Sequence, residues 1–140
     1  MWIKGETLGA KHKAFSWMFD KRDGISIKRH FKRSTRIDDY TCKDIEQLLG
    51  YIKTQDTVPL GNSVVKLAKG IERRGLGSYV FDTIKPNTSF AQSTSQLAAV
   101  MVQANILAYN GVEKGMEFWF VEGNWQKKLE SLQEKSVQEI

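Results

Sequence analysis

The chain is poor in the features that define several classes of protein. It has a single cysteine, Cys42, among 140 residues, and no run of about 18 apolar residues that would predict a transmembrane helix. One cysteine excludes an intramolecular disulfide and a zinc site built from several thiolates. The first residues lack the apolar core of a signal peptide. We therefore expect an intracellular, cytoplasmic protein with one core, a small appendage and no membrane partner.

Patterns typical of catalytic sites are also missing. The two histidines, His12 and His30, lack the spacing of a helical zinc site. No Asp or Glu stands two residues before a Lys, so the acid-x-Lys element of metal-dependent nucleases is absent. The glycine-rich stretch 70–77 contains no Gly-Lys-Ser or Gly-Lys-Thr and matches no phosphate-binding loop. These absences favour a protein that is not an enzyme and needs no metal or cofactor.

The formal net charge of +5 conceals an asymmetry along the chain. Residues 1–36 hold ten Lys or Arg against three acidic residues, whereas the remaining 104 residues hold 11 basic and 13 acidic side chains. Such a segment is typical of a polyanion-binding arm, because each cation placed on a phosphate releases counterions. The alternative is a charged hairpin that only aids solubility. We predict a basic extension over residues 1–40 whose DNA contacts are Lys28, Arg29, Lys32 and Arg33.

The same segment alternates apolar and polar side chains. Phe15, Trp17 and Phe19 recur at every second residue, and the alternation resumes after the Asp23-Gly24 pair. This period predicts two strands joined by a tight turn, although helical spacing over residues 10–19 leaves a helix open. Aromatic side chains on such a ribbon could stack on bases. They are more often the buried face of a sheet.

From Thr41 onward the apolar spacing becomes helical. Thr41 and Asp44 form a shortened capping box, and apolar residues follow at i, i+3, i+4 and i+7. This pattern predicts a well-defined helix that packs through one face. Asn62 or Ser63 can cap a second segment over residues 64–71.

Two ambiguous stretches come next. The loop 70–77 carries Arg73 and Arg74, which could contact a phosphate or only end a helix. Residues 78–84 fit a helix or a strand. We favour a short helix, because the polar link 85–89 then becomes the turn between two helices.

The most informative stretch is residues 93–104. Its apolar residues recur at helical spacing, and its other face carries amides and hydroxyls but no charge. Gln92, Ser95 and Gln96 lie on that polar face, near the helix N-terminus. Their side chains are suited to base edges, and the nearby backbone N–H groups are suited to phosphates. The pattern predicts a helix that reads DNA.

Strand-like residues 106–109 and 116–121 follow and flank the turn-forming pair Asn110-Gly111. A helix followed by such a hairpin resembles the winged helix-turn-helix family, and the resemblance extends over residues 41–122. It implies an α+β fold with a three-helix core and a C-terminal β-hairpin wing. It also implies that the helix enters the major groove while the wing lies against the adjacent backbone or minor groove.

The expected DNA contacts of this unit include Thr88 and Ser89 in the link between the helices and Lys114 at the wing tip. The helix that would enter the groove contains no Arg or Lys. We therefore expect the basic extension, a partner or a second subunit to contribute the phosphate contacts.

The C-terminal residues 123–140 predict a helix with a narrow apolar stripe. Its members are Trp125, Leu129 and Leu132 and, less regularly, Val137 and Ile140. A thin stripe suits helix pairing, so we predict a homodimer through this helix, with folding back onto the chain's own domain as the alternative.

Together these features predict a non-enzymatic winged-helix protein that binds duplex DNA and is regulatory or accessory to a nucleic-acid process. The alternative is a winged-helix-like protein-interaction module that docks on or inhibits a larger nucleic-acid enzyme.

Overall fold

The first 40 residues form an antiparallel sheet. In the computed structural model, which describes residues 1–138, its strands pair in the order β1-β2-β3-β4. Their bounds are Ile3–Glu6 for β1, Ala14–Asp20 for β2, Gly24–His30 for β3 and Thr35–Tyr40 for β4. The predicted pair of strands is confirmed as β2 and β3, so residues 14–19 are not helical. Gly24 has a φ of +106°, and a side chain there would collide with the Tyr40 carbonyl oxygen.

Helices make up most of the remaining chain. Their bounds are Cys42–Lys53 for α1, Val64–Ala68 for α2, Leu76–Tyr79 for α3, Thr88–Gln92 for α4, Thr94–Gln103 for α5 and Trp125–Gln138 for α6, with a π-helical turn at Val80–Ile84. The predicted capping box of α1 is confirmed: the Asp44 N–H donates to Thr41 Oγ1, and the Thr41 N–H donates to the Asp44 carboxylate, both at 3.0 Å. Ser63 caps α2, and residues 78–84 are helical, as favoured, but Thr88 and Ser89 begin α4, so the predicted link 85–89 is reduced to residues 85–87.

A second, smaller sheet lies beside these helices. Its strands are β5 (Val58–Pro59), β6 (Leu107–Tyr109) and β7 (Glu117–Phe120), paired antiparallel in the order β5-β7-β6. The helix over 93–104 and the hairpin after it are confirmed as α5, β6 and β7. Strand β5 was not predicted, because two residues are too short to show a period. The general α+β class is confirmed.

The β1–β4 sheet and the helices share one hydrophobic core. Trp17 and Ile27 on the inner face of the sheet are fully buried, and Leu97 of α5 is only 1% exposed. The prediction that the alternating aromatic residues form a buried sheet face is confirmed. Residues 1–40 therefore pack against the helices instead of extending from them as a free arm.

This packing overturns part of the predicted exposure of the polar face of α5. Gln96 is only 7% exposed, and Ala99 is also buried. The cause is the N-terminal sheet: β1 lies against α5, and Phe15 of β2 borders the same surface as Ala99. The sheet therefore covers the middle of α5, whereas Gln92 and Ser95 near its start are half-exposed.

The apolar stripe of α6 packs on the chain's own sheet, which was the alternative to dimerisation. Leu129 is fully buried, and the Trp125 ring meets the Phe19 ring edge-on at 6.0 Å. The Phe19 N–H also donates to Gln133 Oε1 at 2.9 Å. The centre of the stripe is therefore covered within the chain, whereas Leu132 is partly buried, Val137 is exposed, and Ile140 lies outside the described residues.

Among residues 1–138, no helix combines the length and the apolar composition needed to cross a membrane.

Candidate functional site

A cleft of about 1030 Å³ opens between the β1–β4 sheet and the smaller sheet. The segments that border it are the β1–β2 loop, the end of β3 with its turn, the loop before α2, the α4–α5 junction and the β6–β7 hairpin. Its volume is at the upper end of the range for small-ligand sites. It is also where the basic N-terminal segment meets the polar start of α5.

Uncharged polar side chains lie on the floor of the cleft beside the apolar Leu60 and Phe118. Asn62 Nδ2 donates to Ser95 Oγ at 2.7 Å and to the Gln92 carbonyl oxygen at 2.9 Å, which fixes the loop before α2 to the start of α5. Gln96 lies one residue further along α5, and its Oε1 is buried. No hydrogen-bond partner for this oxygen exists within residues 1–138.

Arg29 is 5% exposed in spite of its charge. Its Nη2 donates to Asp38 Oδ2 and to the Ser89 carbonyl oxygen, both at 2.8 Å, and its Nη1 donates to Gln92 Oε1 at 3.2 Å. This pairing is required because an unpaired buried charge is strongly destabilising. The predicted position of Arg29 on an exposed arm is wrong, since its guanidinium attaches the sheet to α4.

Two further groups hold the sheet on the helices. Arg36 Nε donates to Asp38 Oδ1 at 2.9 Å, so the Asp38 carboxylate is shared by two arginines. The Tyr40 hydroxyl lies 2.6 Å from Ser93 Oγ and donates to the Phe90 carbonyl oxygen at 3.2 Å. Burial raises the pKa of Tyr40 far above its ordinary value, so this hydroxyl stays protonated. The Tyr40 contacts therefore hold β4 against the α4–α5 junction.

The rim of the cleft is basic. Its lysines are exposed and come from three segments: Lys11 and Lys13 from the β1–β2 loop, Lys32 from the β3–β4 turn, and Lys114 from the β6–β7 hairpin. His30 lies beside them, and Glu113 is the acidic side chain on the same rim. We call Lys11, Lys13, Lys32 and Lys114 the rim lysines.

Backbone contacts position the β1–β2 loop. The Thr7 N–H donates to the Lys13 carbonyl oxygen at 3.0 Å, and the Lys13 N–H donates to Thr7 Oγ1 at 2.9 Å. At the tip of the loop, His12 Nε2 lies 3.6 Å from Glu113 Oε1. The loop therefore reaches the β6–β7 hairpin across the cleft.

One aromatic ring stands at the mouth of the cleft. Phe31 is 49% exposed, and the Arg29 guanidinium carbon lies 5.4 Å from its ring centroid. A tight turn sets its position, because the Phe31 N–H donates to the Ser34 carbonyl oxygen at 2.7 Å. The turn ends the β3 alternation, so Phe31 does not join the buried face of the sheet.

Comparison with known proteins gives no relative for this chain. No family model matches it, and no curated protein or solved structure matches it either. The cleft therefore has to be interpreted from its own chemistry: lysines on the rim, amides on the floor and an aromatic ring at the mouth. Within the described residues, no group of three or more His, Cys, Asp or Glu side chains could hold a metal ion.

The cleft brings together half of the residues that the sequence predicted to bind DNA. Those that line it are Arg29, Lys32, Gln92, Ser95, Gln96 and Lys114. Because they come from the sheet, the helix junction and the hairpin, only the tertiary fold makes them neighbours.

The other predicted residues do not line the cleft: Lys28, Arg33, Arg73, Arg74, Thr88 and Ser89. Lys28 Nζ lies 4.5 Å from the Trp2 ring centroid, and Lys28 belongs to the alternate set of β3 residues that faces away from the core. Ser89 contributes its backbone carbonyl to Arg29. Arg73 and Arg74 are exposed in the loop between α2 and α3.

Sequence reasoning missed several residues of the cleft: Lys11, Lys13, His30, Phe31 and Asn62. The lysines were visible as part of the basic segment, but no period marked the β1–β2 loop as a place where they would meet Lys114. Asn62 was considered only as a helix cap, and its contact with Ser95 depends on a long-range approach that the sequence does not show.

Proposed function

We propose that this chain is a non-enzymatic nucleic-acid-binding protein and that the cleft is its binding surface. One observation carries the proposal: the four rim lysines belong to three separate segments yet surround one opening. Ammonium groups gathered in this way attract a polyanion and contribute salt-dependent affinity. The uncharged amides below them are suited to base edges instead of phosphates.

A winged-helix unit is part of this proposal. Helices α1, α2 and α5 and the β6–β7 hairpin occur along the chain in the order of that family, with α3, the π-helical turn and α4 inserted between α2 and α5, and β5 adds a strand in the order β5-β7-β6. This order supports α5 as the counterpart of the recognition helix and the hairpin as the wing. Lys114 would then be a wing contact.

The proposed binding mode differs from insertion of a helix into the major groove. Only part of the polar face of α5 is accessible, because Gln96 is 7% exposed while Gln92 and Ser95 are half-exposed in the cleft. A duplex would therefore touch the rim through its phosphates, whereas a single strand could also place bases in the cleft. The rim lysines contribute affinity in both cases.

Binding of DNA across a salt series tests the proposal. The test variant replaces all four rim lysines with glutamine. If each lysine contacts one phosphate of a single strand, the slope of log Kobs against log salt should become shallower by about 2.8, because each contact contributes about 0.7. Fluorescence anisotropy of labelled single-stranded and double-stranded DNA measures this slope.

A matched control removes the same charge elsewhere. Lys43, Lys69, Lys127 and Lys135 are exposed and do not line the cleft, and their replacement by glutamine should leave most of the slope in place. Equal losses in the two variants would show that net charge, and not the cleft, determines binding. If the wild-type chain binds neither form of DNA, the proposal fails and the protein-docking alternative is favoured.

A further inference from the structure

We infer that the cleft takes an unpaired nucleobase, with the Gln96 side chain contacting the edge of the base and the Phe31 ring contacting its face. The inference rests on the proposed function and specifies its ligand: a strand with accessible bases, in preference to a phosphate backbone alone.

The first observation is the unpaired acceptor on the floor. Gln96 is 93% buried, its Oε1 has no partner within residues 1–138, and it lines the cleft. A buried polar atom without a hydrogen bond is costly, so natural cores rarely retain one without a reason. Because Oε1 itself has almost no accessible surface, a ligand N–H would satisfy this oxygen only after the Gln96 side chain turns toward the cleft.

The neighbouring amide adds to the same chemistry. Both bonds that Asn62 Nδ2 donates stay within the protein, to Ser95 Oγ and to the Gln92 carbonyl oxygen. Asn62 Nδ2 is therefore fully used in holding the floor together. Gln92 Oε1 already accepts a hydrogen bond from Arg29, so it has less capacity to accept one from a ligand. The floor thus presents amide and hydroxyl groups, which can both donate and accept.

Amides that both donate and accept suit the edge of a base better than a phosphate. Ionised phosphate oxygens only accept hydrogen bonds, so a phosphate placed beside Gln96 Oε1 would leave that oxygen unpaired. The edges of adenine, cytosine and guanine carry amino donors, and a glutamine amide pairs with adenine through two hydrogen bonds. Phosphates belong on the rim, beside the lysines.

The second observation is the aromatic ring at the mouth. Phe31 is 49% exposed, on a turn that also carries Lys32. A half-exposed ring next to a lysine provides a stacking surface beside a phosphate contact, which is the combination found in proteins that bind single strands. The apolar side chains of Val64 and Met116 line the same cleft and suit the faces of a base.

A strand with bases and a strand without bases separate the contributions. The probes are an adenine strand of about 12 nucleotides and an abasic strand of equal length, which keeps every phosphate. For the wild-type protein we expect the adenine strand to bind about tenfold more tightly or better. Gln96→Met should weaken binding of the adenine strand by about five- to tenfold and leave binding of the abasic strand unchanged.

Two more variants complete the test. Phe31→Ala, at an exposed position, should lower the preference for the adenine strand without disturbing the fold, so it tests the inference even if Gln96→Met misfolds. Gln103→Met is the matched control, because Gln103 is exposed at the end of α5 and lies outside this cleft; it should bind both strands like the wild type.

The outcomes distinguish the two proposals. The base-binding inference is overturned if the wild-type protein binds both strands equally, or if Gln96→Met and Phe31→Ala lower the affinity for both strands by the same factor. In either case the proposal that the rim lysines bind phosphates is unaffected. If neither strand binds, the proposed function fails together with the inference. Binding of a peptide but of neither strand would likewise overturn it.

Discussion

Replacement of Gln96 by methionine should stabilise the folded protein in the absence of nucleic acid. The side chain is 7% exposed and its Oε1 is unpaired within residues 1–138, so the wild type carries the desolvation penalty of a polar atom without its hydrogen bond. That penalty is about 1–3 kcal/mol. Methionine has nearly the same length and adapts to irregular packing, so little strain should offset the gain.

We expect a net increase of about 1–2 kcal/mol in the free energy of unfolding, and a rise in Tm of about 3 °C per kcal/mol. Urea titration and thermal melting followed by circular dichroism measure both quantities. Gln103→Met, at an exposed position of the same helix, should change the free energy by less than about 0.5 kcal/mol. A loss of stability in Gln96→Met would show that Oε1 is satisfied in solution, and the reasoning about the floor would be wrong.

Two other predictions concern the packing that shapes the cleft. Tyr40→Phe should cost about 1–2 kcal/mol near neutral pH, because the hydroxyl bonds to Ser93 and Phe90 are lost. Because burial raises the pKa of Tyr40, the folded chain keeps a proton that the unfolded chain loses above about pH 10, so the free energy of unfolding of the wild type should fall there by up to about 1.4 kcal/mol per pH unit. Urea titrations at several pH values should therefore show that the difference in free energy of unfolding between the wild type and Tyr40→Phe becomes smaller above about pH 10. A difference that does not change with pH would contradict this role of Tyr40. Leu129→Ala should lower the free energy of unfolding by about 2–5 kcal/mol without changing the sedimentation coefficient, because Leu129 is fully buried in the chain's own core. If the wild type instead sediments as a dimer and the variant as a monomer of nearly the same stability, the stripe is a dimer interface.

Local signals in the sequence predicted most of the secondary structure. The Thr41 capping box, the helical spacing of α5 and the turn at Gly24 each depend on interactions within a few residues, and each is present in the structure. Strand β5 was missed because Val58–Pro59 is too short to show a period.

The relation between the β1–β4 sheet and α5 could not be predicted in the same way. The polar face of α5 suggested solvent or DNA as its neighbour, yet the sheet covers part of it because Arg29 is neutralised by Asp38 and bonded to the α4–α5 junction. Residues this far apart in sequence meet only through tertiary packing. The cleft that results was therefore visible in the sequence only as separate basic and polar segments.

The most direct test of the cleft as the binding surface is an NMR titration of isotope-labelled protein with the single adenine strand. We expect the largest shifts at the side-chain amide of Gln96, at Phe31 and at the backbone of the β1–β2 loop, while resonances of α6 stay in place. Shifts confined to α6 or to the Arg73–Arg74 loop, with the Gln96 amide unmoved, would contradict this role of the cleft.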